Sequence, residues 1–150
     1  MSLDLYDRPF EPADHAAVAR IARPLGRARW TRKQLAEYLG LPGGYARVIA
    51  ERARPAHAIG WFLLIDTPEH LYLANIAVAA EFQRRGVAAY GLRCIERYGR
   101  EHGYRRIALD VPQDNAAARA LYLAHGYRAA AAAARLPRDQ DHRMTKTLRR

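Results

Sequence analysis

The chain has 150 residues, 50% of them hydrophobic, and a formal net charge of +10 carried almost wholly by arginine. Its length and apolar content suit one domain over residues 1–150, with a core needing neither disulfides nor metals, and exclude a disordered linker. No apolar run approaches the ~20 residues of a membrane span, the N-terminus lacks a basic n-region and an apolar h-region, and the lone Cys94 excludes an intrachain disulfide, which together point to a cytoplasmic protein with no membrane partner.

Leu3 to Phe10 alternates and predicts a first strand, ended by Pro9 and Pro12. Asp14 is positioned to cap a short helix through Ala17, Val18 and Ile21, which Pro24 and Gly26 break. Thr31 with Gln34 is a capping-box pattern that opens a second helix, running to about Leu39. Leu41-Pro42-Gly43-Gly44 is a turn cluster. Tyr45 to Ala53 and His57 to Ile65 read as strands joined across Arg54-Pro55, and Asp66 to Glu69 turns the chain into an apolar strand from Leu71 to Val78.

From Ala88 to His102 apolar residues recur at helical spacing, at Tyr90 or Gly91, Cys94, Ile95 and Tyr98, and Gly103 stops that helix. Ile107 to Val111 is a short buried strand closed by Pro112; Asp114 or Asn115 caps the next helix, which Gly126 ends. The alanines from 129 to 134 favour helix by propensity, but the Gly126-Tyr127 pair marks a change of state and predicts a strand. Asp141 to Leu148 is the last strand. This order predicts an α/β fold with a mixed central sheet of about seven strands flanked by about four helices. The fourth strand and the strand from Ile107 are expected to be parallel neighbours joined by a right-handed crossover helix. Ligands in such folds sit at the carboxyl ends of strands.

Two motifs lie at those ends. Asn75 to Ala89 runs from an apolar strand through the basic loop Gln83-x-x-Gly86-x-Ala88 straight into a helix. That order aims free backbone N–H groups and the positive end of a helix at one point, which suits a phosphate or pyrophosphate. Gly86 can take backbone angles closed to other residues, and Ala88 lets a ligand approach the main chain. The second motif is Asn115-x-x-Ala118-x-x-Leu121-Tyr122-x-x-x-Gly126-Tyr127.

Together the motifs resemble the GNAT superfamily of acetyl-CoA-dependent N-acetyltransferases, and most closely the ribosomal-protein alanine type, which shares Asn-Ile-Ala-Val at 75–78, Phe-Gln-Arg-Arg-Gly at 82–86 and Asn-Ala-Ala-Ala at 115–118. The first half of the chain departs from that subfamily. The resemblance implies the GNAT fold, with the parallel strands splayed and acetyl-CoA wedged between them. Ile76, Ala77 and Val78 would give it main-chain contacts; the loop Gln83, Arg84, Arg85, Gly86, Val87, Ala88 and Ala89 would hold its pyrophosphate; Asn115 would bond its arm. Tyr122 matches the general acid. Asp110 stands where the ribosomal-type enzymes carry a glutamate base, and Glu81 is a second candidate. The acceptor would be an amine, chosen by the loop around Trp30 and by Pro137 to Asp141, and dimers are common among such proteins.

Each residue also has a plainer reading. A helical tyrosine is usually core, Asn115 can be an N-cap alone, Glu81 can be an exposed loop residue, and arginines are often solvated surface. Aspartate is one methylene shorter than glutamate, so a bridging water between Asp110 and the amine is expected. An α-amine near pKa ~8 asks less of such a base than a lysine near ~10.4. The arginines are scattered rather than blocked with aromatics, which ranks nucleic-acid binding low, and the dispersed histidines form no metal-ligand pattern. An idle acyl-CoA-binding module is the rival from another class.

Overall fold

A computed structural model of the protein describes residues 2–22, 32–40, 43–112, 114–130 and 142–149. In chain order the elements are β1 (Leu5–Pro9), α1 (His15–Ala22), α2 (Arg32–Leu39), β2 (Gly44–Glu51), β3 (Gly60–Asp66), β4 (Leu71–Val78), α3 (Val87–Glu101), β5 (Arg106–Val111), α4 (Ala116–Ala124), β6 (Arg128–Ala129) and β7 (His142–Thr147). The strands form one seven-stranded sheet in the order β1-β2-β3-β4-β5-β7-β6. Every neighbouring pair is antiparallel except β4 and β5, the parallel pair that α3 crosses over to join.

Alternation sorts side chains to two faces. Leu71, Leu73, Ile107, Leu109, Val111 and Met144 pack with Leu92 and Ile95 of α3 and, at the rim, with Leu121 and Tyr122 of α4. Val48, Trp61, Leu63 and Ala77 face the other way, onto Val18 and Ile21 of α1 and Leu39 of α2. Leu92 and Ile95 are fully buried, and each contributes roughly 1.5–3 kcal/mol by leaving water. The helix sits close because Gly91 and Gly99 carry no side chain. A Cβ on Gly99 would stand 2.6 Å from Leu148, and one on Gly91 would stand 3.1 Å from Ile49 and from Ile76.

Several boundaries shift from the expectation for physical reasons. Asp14 ends a 3-10 turn (Pro12–Asp14) instead of capping α1. Its carboxylate accepts from the Glu11 N–H at 2.8 Å and from both ends of the Arg8 fork at 2.8 Å, so it is spent before the helix begins. β2 stops at Glu51 and β3 starts only at Gly60, because Arg54 and His57 close successive turns onto Glu51 and Arg54. The buried stripe of α3 centres on Gly91, Leu92, Ile95 and Gly99, leaving Tyr90 and Tyr98 half-buried. Thr31, Trp30, the end of the alanine tract and Pro137 to Asp141 lie outside the described residues.

Candidate active site

β4 and β5 are zipped together for only three pairs, Leu71 with Ile107, Tyr72 with Ala108 and Leu73 with Leu109. The pairing stops where β4 has one residue more than its other neighbour. Leu64 of β3 faces Leu73 while Leu63 faces Asn75, which leaves Ala74 as a bulge. A bulge bends and overtwists its strand, and here it carries the carboxyl half of β4 away from β5. The resulting gap is a cavity of about 100 Å³ lined by Asn75, Ile76, Asp110, Asn115 and Tyr122 among others. Beyond Leu73, the edge of β4 turned toward β5 has no strand partner in the described residues; the ladder to β3 turns the backbone groups of Ile76 and Val78 to that edge and those of Ala77 to β3. Asn75 adds a buried Oδ1 without a hydrogen-bond partner among the described residues.

The loop after β4 meets this gap. Gln83 donates from Nε2 to the Val78 carbonyl at 3.2 Å, which ties the loop back to the strand. Arg84 has φ +63 and Gly86 has φ +86, two left-handed residues just before α3. No side chain caps the helix at Gly86. The N–H groups of Val87, Ala88 and Ala89 belong to its first turn and lack intrahelical partners, since the first bond runs from the Tyr90 N–H to the Gly86 carbonyl at 3.0 Å. A Cβ built on Gly86 would meet nothing within 4 Å, so its glycine answers to backbone angle and leaves open space in front of the amides. Arg84 and Arg85 are both exposed; the Arg85 guanidinium lies 5.3 Å from the centre of the Phe82 ring.

Asn115 caps α4, its Oδ1 accepting from the Ala118 N–H at 3.1 Å. Tyr122 stands two turns further along α4, its ring edge-on to Tyr127 at 5.8 Å. Among the described residues no group bonds its hydroxyl, and burial pushes that hydroxyl up to about 12. Tyr127 is wholly buried, with burial as the main cause of a raised pKa and the carboxylate of Glu96 as the next. Glu96 is itself buried and paired with Lys146.

Asp110 reaches the gap from β5, but not as a lone carboxylate. Arg143, its cross-strand partner on β7, donates from Nε to Oδ1 at 2.6 Å and from Nη2 to Oδ2 at 3.2 Å. The Tyr72 hydroxyl on β4 donates to Oδ2 at 2.8 Å. Glu81 sits exposed in the 3-10 turn Ala80–Phe82 and does not line the gap. Sequence reasoning passed over Tyr72, Arg143 and Asn75 as site residues. The one signal for Tyr72 was a polar-tipped residue between two leucines of an apolar strand; Arg143 gave none.

The sequence profile of the acetyltransferase (GNAT) family matches residues 15–127. This chain belongs to the GNAT acetyltransferase family. None of the curated proteins matches it. Among solved structures it resembles the ribosomal-protein-S18-alanine N-acetyltransferase of Escherichia coli at 20% identity and TM-score 0.79, covering 97% of this chain and 95% of that one. It resembles Ard1 from Thermoplasma volcanium at 18% and 0.82, covering 99% and 100%. The PaiA N-acetyltransferase of Thermoplasma acidophilum, solved with coenzyme A, follows at 14% and 0.77, covering 98% and 99%. At these identities the likeness is one of fold, and the mixed sheet with its open parallel pair is that fold.

Proposed function

We propose that the protein is an acetyl-CoA-dependent N-acetyltransferase that moves an acetyl group to a primary amine by direct attack in a ternary complex. The carrying observation is the open half of the β4–β5 junction, with first-turn amides of α3 that lack intrahelical partners beyond one end and, inside it, a tyrosine hydroxyl with no hydrogen bond among the described residues. Acetyl-CoA supplies the thioester. The N–H groups of Val87, Ala88 and Ala89 hold its pyrophosphate at the positive end of α3, with Arg84 and Arg85 adding charge. The backbone of Ile76, Ala77 and Val78 lies along its arm, Gln83 keeps the loop in place, and Asn115 bonds the arm from the α4 side.

Tyr122 serves the departing sulfur. With its hydroxyl at about 12, handing a proton outright to a thiolate near ~8.5 is uphill by about 5 kcal/mol. Its contribution is therefore a hydrogen bond to the sulfur as negative charge develops there. Asp110 faces the amine through a bridging water, and Glu81, outside the gap, is not given that role. Cys94 is no acyl carrier: burial, then the neighbouring Asp7 charge, raise its thiol to about 11, so it stays protonated and unreactive near neutral pH. An acceptor amine that is already partly neutral, such as a protein α-amine or a small-molecule amine of similar pKa, suits this equipment.

The test is a panel of free amines and short peptides with acetyl-CoA, read by thiol release. Release with at least one amine, and loss of coenzyme A binding in Gly86→Val, is the expected result. Tight coenzyme A binding with no release from any amine would make the protein an idle acyl-CoA-binding module.

A further inference from the structure

The cluster at Asp110 reaches further than the generic reaction. Asp110, Arg143 and Tyr72 come from three strands that lie side by side, β5, β7 and β4, and all three point to one face of the sheet. Helices α1 and α2 pack over Val48, Trp61, Leu63 and Ala77 on that face, so the cluster lies beside them, open to solvent and to the gap. The Asp110 and Arg143 side chains are 26% and 37% exposed. A carboxylate offers about four lone-pair sites, and three donors already fill most of them. The Arg143 guanidinium also rests 5.5 Å from the centre of the Tyr72 ring, so each partner steadies the other. His70, Glu69 and Arg106 add to the charged surroundings, His70 being held below its ordinary pKa by burial first and Arg143 second, against the opposing charge of Glu69.

Resting on the acetyltransferase reading above, we infer that Arg143 and Tyr72 set acceptor choice: they lock Asp110 into an ion pair, so that it orients an incoming amine but does not strip a proton from an ammonium. The nitrogen–carbon bond then forms as the carbon–sulfur bond breaks, and the proton the attacking amine loses ends on the departing thiol. The amine must arrive neutral by its own equilibrium. At pH 7 an α-amine near ~8 is neutral about 200 times more often than a lysine near ~10.4, and the enzyme inherits that ratio. Arg143 and Tyr72 are positioning residues here, because they act through Asp110.

The experiment compares kcat/KM at pH 7 for two peptides of one sequence, one with a free N-terminus and no lysine, the other N-terminally blocked with a single lysine. The wild-type ratio is expected near 200-fold. Arg143→Gln frees the carboxylate and lowers the ratio at least about fivefold, mostly through faster lysine turnover; Tyr72→Phe lowers it about twofold. Arg143→Lys keeps it, and adding Asp110→Asn to Arg143→Gln restores it. A merely structural role would lower both rates together and leave the ratio alone. Should Arg143→Gln not fold, Tyr72→Phe decides, since it takes the hydroxyl from Asp110 while keeping the ring beside Arg143. An unchanged ratio in the folded variants, or a wild-type ratio near one, overturns the inference. Failure of the acetyltransferase reading looks different, since no peptide then releases thiol at all.

Discussion

Asp7 on β1 accepts from Arg47 of the neighbouring strand, from the Tyr90 hydroxyl at 3.1 Å and from the Cys94 thiol at 3.5 Å; Asp110 on β5 accepts from Arg143 of its neighbour and from the Tyr72 hydroxyl. Both are an aspartate, an arginine and a tyrosine, yet the surroundings separate them. Two of Asp7's donors come from α3, which lies across it, and the side chain is 13% exposed. Burial alone would raise its pKa, but the hydrogen bond and charge of Arg47, helped by Tyr90 and Cys94, carry it below the ordinary value. Asp110's donors all come from the sheet, and its free side looks into the gap. Size of hollow does not make the difference. The one beside Asp7 is larger, about 240 Å³, but no residue lining it has a buried polar atom left unpaired. The gap has Asn75. Unmet hydrogen bonding, more than volume, sets the gap apart from the hollow beside Asp7.

The comparison can be broken hardest at Asp7. Asp7→Ala leaves Arg47 largely buried without its anion, and a loss of about 3 kcal/mol in urea unfolding is expected, with the α-amine to lysine ratio unchanged. A shift in that ratio would mean that the two aspartates are coupled. On the other side, Tyr122→Phe is expected to lower kcat about 10²-fold while coenzyme A affinity and thermal stability stay near wild type. Alkaline titration gives the smallest effect. Burial pushes Tyr104 and Tyr122 up to about 12, and raises Tyr90 with help from Cys94. The folded chain therefore keeps these protons where the unfolded one, near ~10, releases them. Their stabilisation is whole below pH ~10 and is lost as pH rises through about 12. Unfolding free energy that stays flat across that window would refute the burial of these hydroxyls.

Local patterns were legible where local physics decides. β4 spans Leu71–Val78 as the apolar run predicts, and α3 differs from expectation by one residue at each end, because helical spacing, the left-handed Gly86 and the left-handed Gly103 leave little freedom. Tyr122, Asn115 and Asp110 do come together at one gap, while Glu81 stays outside it. The partners of Asp110 were not legible. They lie 38 and 33 residues away in sequence and meet it only through the order of strands, which no window along the chain contains. Asp14 failed as a cap for a more local reason: Arg8, 6 residues back, and the Glu11 N–H, 3 residues back, had already taken its carboxylate.

The extra residue at Ala74 shows how little separates a binder from an inert sheet. Removing it keeps every β3–β4 partner, since Leu63 still faces Asn75 and Leu64 still faces Leu73. Without the bulge β4 would lose its local bend and could extend its pairing along β5 through Asp110 and Val111, as far as Pro112, and so narrow the mouth of the crevice.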